Sequence, residues 1–95
     1  MNIDPHFPTP YFKNYATLTS AAVCATDDPA GKGRKGIGFY AAGAGTVVVR
    51  PPSMTESSRD EAITMIAGGK QELEFGQIVS GTAPNVVVYW SRSLL

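Results

Sequence analysis

One cysteine and one histidine are all that this chain of 95 residues carries of the side chains most used for cross-links, metal sites and nucleophilic catalysis. The lone Cys24 excludes an internal disulfide and a cysteine-based zinc site, and the lone His6 excludes a histidine-rich metal centre. Surplus charge is missing too. Eight basic residues meet eight acidic ones, and only 17% of the chain is charged, where about a quarter is usual. Nucleic-acid binders carry a basic excess, so no nucleic-acid partner is expected. Apolar runs are far shorter than a bilayer span, and the opening MNIDPHF lacks the basic and apolar regions of a secretory leader. The expectation is a chain with no membrane partner, made in a reducing cytoplasm. A domain this small buries a modest share of its surface and often needs help. With disulfides and cysteine or histidine metal sites set aside, oligomerisation remains as the source of that help. A low-charge surface fits a protein largely covered by neighbours.

Gly, Pro, Ser, Thr and Val are abundant, and strong helix formers are few. Residues 1–15 read as an extended N-terminal arm, and residues 16–95 as a single β domain. Within TLTSAAVCA, 17–25, Thr17, Thr19 and Val23 favour a strand over a short helix. TDDPAGKG, 26–33, is a turn-rich loop. RKGIGFYAA, 34–42, is a strand expected to place Ile37, Phe39 and Ala41 on one face. GAG, 43–45, reads as a tight hairpin turn into TVVVR, 46–50. PPSMTESSR, 51–59, is a loop in which SMTE matches a capping box. DEAITMIA, 60–67, is a strand, and the following GGK signals another hairpin. QELEFGQIVS, 71–80, alternates with Leu73 and Phe75 on one face and Glu72 and Glu74 on the other, and Gly76 marks a bulge. After the turn GTAPN comes the last strand, NVVVYW, 85–90. Short strands with turns every eight to twelve residues predict an all-β sandwich or small barrel.

Chemistry is thin along this frame. His6 has neither a nucleophile nor an orienting acid in a recognised context. Cys24 lies in an apolar stretch with no basic neighbour and reads as a small buried hydrophobe. Glu72 and Glu74 share a strand face, which a solvated surface explains better than a pair of opposed catalytic carboxyls. Asp27 and Asp28 precede Pro29 as turn residues, without the spacing of a calcium loop. GKGRKG, 31–36, lacks both the P-loop pattern and a following helix, and reads as a solvated loop or a partner contact. GIGFYAAGAG lacks dinucleotide spacing. No enzyme activity, cofactor or metal is expected. Two classes stay open: a structural assembly subunit, and a small carbohydrate- or ligand-binding β module. The aromatics lie in strands or in the arm rather than on exposed loops, which favours assembly.

The runs RKGIGFYAAGAGTVVV and EAITMIAGGKQELEFGQIVSGTAPNVVVYW together resemble a family of small phage virion proteins that includes the spike base protein of gene-transfer-agent heads. The family's strand ending in Y-x-G-G-A-G falls on Tyr40–Gly45, its L-P-[FV] strand on Leu73–Phe75 and its G-T-x-x-x-[ND] turn on Gly81–Asn85. The likeness covers roughly residues 34–90. It departs at the longer loop 51–60 and at Glu74, where the family often has Pro. The resemblance implies a small antiparallel, jelly-roll-like β-sandwich in a symmetric virion assembly, as a capsid decoration (cement) protein or head spike base. A tail or baseplate component is also compatible. It implies a homo-oligomer, a trimer or pentamer, contacting the major capsid protein or a spike or fibre protein.

Two features single out a candidate interface. The arm holds PHFPTPYF, 5–12, whose prolines forbid a helix and whose aromatics are too apolar for a solvated tail. VVVYW is apolar on both strand faces, whereas a strand of a two-layer sandwich needs only one. Phe7, Tyr11, Phe12, Val87 and Tyr89 are therefore the candidate subunit or capsid contacts. The arm is expected to dock on a neighbour, or else to fold across its own domain.

Overall fold

The computed structural model describes residues 11–19, 22–52 and 57–95. Among the described residues eight strands, one α-helical turn and a 3-10 turn at Ser57–Arg59 build an all-β protein: β1 (Phe12–Tyr15), β2 (Ala22–Val23), α1 (Cys24–Asp27), β3 (Arg34–Ala41), β4 (Gly45–Arg50), β5 (Glu61–Met65), β6 (Gly69–Phe75), β7 (Gln77–Gly81) and β8 (Val86–Leu94). They form two four-stranded sheets, a front sheet ordered β1-β8-β3-β6 and a back sheet ordered β2-β7-β4-β5. Every paired neighbour runs antiparallel.

Strand alternation decides what lies between the sheets. Val86, Val88 and Trp90 of β8 turn inward with Phe39 and Ala41 of β3 and Phe75 of β6. Val47 and Val49 of β4, Met65 of β5 and Ile78 of β7 meet them from the back sheet in one buried cluster. Phe39 and Phe75 pack edge to face with ring centroids 6.0 Å apart. Each such large side chain contributes about 2–3 kcal/mol by leaving water.

The turns do something the sequence reading did not anticipate: they change sheets. GAG was expected to close a hairpin, but β3 lies in the front sheet and β4 in the back. Gly45 fits this corner because a Cβ there would lie 2.5 Å from the Ala83 nitrogen, at a φ of +156°. GGK likewise carries the chain from β5 at one edge to β6 at the opposite sheet's edge, not through a hairpin. At Gly76, expected as a bulge, the chain leaves β6 and enters β7 in the back sheet. Among the described residues the one sequence-adjacent pair of strands that also pair in space is β4 with β5, joined through residues 51–60. The bidentate contact from Arg50 Nε and Nη2 to Asp60, at 2.7 and 3.1 Å, clamps that loop at its base.

Three further expectations need correction. Ile37 does not join Phe39 and Ala41 inside. The register shifts between Gly36 and Gly38, and Ile37 is left 41% exposed. The stretch 17–25 is mostly not strand, since Ala22–Val23 pair briefly and Cys24–Asp27 make one helical turn. Phe12–Tyr15, assigned to the arm, are a strand of the front sheet paired with Val86–Tyr89. Residues 1–10, including His6 and Phe7, and the capping-box residues Ser53–Glu56 lie outside the described residues.

Candidate assembly face on the front sheet

Residues directly opposite one another in an antiparallel pair project to the same face. Phe12 lies opposite Tyr89, and Tyr89 opposite Gly38. In the next row outward-facing Asn14, Val87 and Tyr40 stand in line, with Lys70 beyond them on β6. The outer face of the front sheet thus carries Phe12, Tyr40, Val87 and Tyr89 together, with Ile37 pushed onto it by the bulge. Phe12, Ile37 and Tyr40 are each 36% exposed or more, although large and apolar. The Phe12 and Tyr89 rings lie 6.2 Å apart, tilted by 44°.

Tyr11 is held beside this face by cations. The Arg34 guanidinium lies 4.3 Å from its ring centroid and that of Arg92 5.9 Å. Arg34 Nη2 also donates to the Tyr11 hydroxyl at 3.3 Å. Such contacts over an aromatic face contribute about 0.5–1 kcal/mol each where exposed. Arg34 is itself positioned from below. Its Nε lies 3.6 Å from the buried Asp28 carboxylate, an ion pair too long to be a hydrogen bond. Its Nη1 donates to the Arg92 carbonyl.

Asp28 organises the neighbouring loop. Its carboxylate accepts the backbone N–H groups of Ala30 at 2.8 Å, Lys32 at 3.0 Å and Arg34 at 3.1 Å. The basic run GKGRKG is therefore largely structured: Arg34 is spent on Asp28 and Tyr11, and Lys35 reaches Glu74 at 3.1 Å. Lys32 is the member left exposed. Asp27 accepts the Tyr15 hydroxyl at 2.8 Å, and burial, then that hydrogen bond, pushes the phenol pKa up.

Beside Tyr89 and Gly38 lies a groove of about 370 Å³. Tyr11, Ile37, Tyr89, Lys70 and Glu72 line it, with Gly38 and Trp90. Four of the five contacts expected from sequence, Tyr11, Phe12, Val87 and Tyr89, are brought together on this face or at its rim, and Phe7 lies outside the described residues. Ile37, Gly38 and Tyr40 were missed. The signal was present in G-I-G, since a strand glycine marks a bulge or a close backbone approach.

Cys24 is fully buried beneath β6, its thiol 3.5 Å from the Phe75 carbonyl, and burial pushes its pKa up to about 11. The Trp90 indole N–H eases that pKa slightly downward without reaching hydrogen-bond geometry to any partner among the described residues. Glu72 and Glu74 alternate outward along β6 as expected. No group of three or more His, Cys, Asp or Glu side chains placed to hold a metal ion occurs among the described residues. None of their helices is long and apolar enough to cross a membrane. No family model matches the chain, and no curated protein or solved structure is significantly similar to it.

Proposed function

We propose that the chain is a non-enzymatic structural protein of a phage virion, a capsid decoration or cement subunit or the base of a head spike, assembling as a homo-oligomer through the outer face of its front sheet. The observation that carries this reading is the gathering of Phe12, Ile37, Tyr40, Val87 and Tyr89 on one face of one sheet, beside Tyr11. Contiguous exposed apolar surface of this kind marks interaction sites. Aromatics dominate the energetics of such contacts.

The strand order supports a jelly-roll reading. In an order of β1-β8-β3-β6 over β2-β7-β4-β5 the first strand lies beside the last, and successive strands fall mostly in opposite sheets. Two Greek keys rolled together give this pattern, and it recurs in viral capsid and lectin domains. The resemblance of residues 34–90 to small phage virion proteins supplies the particle as the setting, and the major capsid protein or a spike or fibre protein as the partner. The arm that enters at Tyr11 would extend the contact, with Phe7 as its anchor.

The test is the solution mass by light scattering after size exclusion. A closed oligomer built on a trimer or pentamer is expected, and a Phe12→Ser/Tyr40→Ser/Tyr89→Ser variant that keeps the far-UV spectrum of a β protein is expected to lose that three- or five-fold association. A wild-type chain that is monomeric at all concentrations and does not bind particles sinks the reading. The groove at Gly38 favours a second one, a carbohydrate-binding module. Tyr11 and Tyr89 offer flat apolar walls to a sugar ring, and Lys70 and Glu72 offer a donor and an acceptor. A saccharide that raises the thermal midpoint of a monomeric chain would select it.

A further inference from the structure

The front sheet ends at β6, and among the described residues β6 pairs on one side only, with β3. Among the described residues no strand pairs with its other edge, whose backbone N–H and C=O groups are a template for another strand. At seven residues it is the longest of the four edge strands; β1 has four, β2 two and β5 five. It contains no proline. From Gly69 to Glu72 it pairs with β3 without a break, and the register shift begins beyond Glu72.

We propose that this edge pairs with the same edge of a second copy, antiparallel about a two-fold axis at Gln71, so that two front sheets become one continuous sheet. Charge selects the partner. The outward side chains of β6 are Lys70, Glu72 and Glu74. With Gln71 opposite Gln71, each Lys70 faces Glu72 of the other copy, giving two opposite-charge pairs and no like-charge pair. Glu74 falls outside the overlap and keeps its own contact with Lys35 at 3.1 Å. A register centred one residue later would set Glu72 against Glu72, which cross-strand repulsion disfavours. A contact of this kind is isologous and closes on itself, so it yields pairs rather than fibres. It is made by the β6 edge, whose Lys70 and Glu72 also border the groove beside Tyr89.

The test uses the full chain carrying Gln71→Cys. Cys24 is buried and does not compete for the cross-link. Mild oxidation is expected to convert most of the protein to a disulfide-linked pair, because Cα atoms facing across a two-fold strand pair lie within disulfide reach. In parallel, Lys70→Glu is expected to weaken pairing roughly tenfold by creating like-charge pairs, and Lys70→Glu/Glu72→Lys to restore it. Absence of the cross-link, preferential cross-linking through Glu72→Cys, or failure of the charge swap to restore pairing would each overturn the proposal.

Discussion

A single missing side chain shapes this surface. A Cβ on Gly36 would overlap the Phe75 ring, so β3 passes close over the core there. The next residue is thrown outward, and Ile37 becomes part of the aromatic face instead of the core. Gly36→Ala is therefore expected to cost about 1–3 kcal/mol by overpacking. In denaturant titrations a Phe75→Leu background should absorb part of that cost, so that the double variant is less destabilised than the sum of the singles. Full additivity would mean that the ring is not what Gly36 avoids. Asp60 offers a second residue-scale test, by pH. The Arg50 hydrogen bond holds the Asp60 carboxyl below its usual range and raises Arg50 in return. A carboxyl that is a stronger acid when folded stabilises the fold above the unfolded pKa of about 3.9 and loses that contribution as pH falls through the folded value. Asp60→Asn should lower the denaturation midpoint at pH 7, and its gap to the parent chain should close on acidification below about pH 4. A gap independent of pH would show that packing, not the carboxylate, matters there.

At the scale of elements, alternation was the legible part. VVVYW read as apolar on both faces, and it is: Val86, Val88 and Trp90 fill the core while Val87 and Tyr89 face outward. Leu73 and Phe75 against Glu72 and Glu74 also sort as their pattern says. What alternation does not encode is which sheet a strand joins. GAG, GGK and Gly76 look like hairpin or bulge signals because glycine supplies sharp reversals, yet a sharp reversal also serves a corner between sheets. The short reach of β1 was hidden for another reason. FKNY is polar enough to pass for arm, since Phe12, Lys13 and Asn14 are exposed and only Tyr15 leans on the core. Its Lys13 lies opposite Val88 and within 4.0 Å of Asp27, a charge placed at the sheet's edge. The candidate face was legible only where its residues were aromatic and adjacent to the last strand. Ile37 needed the bulge, and the bulge needed the contact with Phe75.

For the molecule as a whole, the order of strands sets how folding and assembly are linked. The front sheet requires the first strand, the last, the third and the sixth to meet, so most pairings join distant parts of the chain. Topologies dominated by such pairings fold in about milliseconds to seconds, because loop closure costs entropy before contacts repay it. The chain is also short, with 95 residues and a net charge of zero, so its core is modest and little self-repulsion keeps protomers apart. Stopped-flow refolding followed by Trp90 fluorescence should separate the two processes. Trp90 is 2% exposed, so its burial reports closure of the core. A phase independent of protein concentration, in that time range, is expected first, followed by a concentration-dependent phase as faces or edges dock. The second phase should slow in the Phe12→Ser/Tyr40→Ser/Tyr89→Ser variant while the first keeps its rate, since those side chains point away from the core. If the entire fluorescence change depends on concentration, the protomer does not close its core alone. Association would then be a condition of this fold, and the aromatic face part of what holds Trp90 in place.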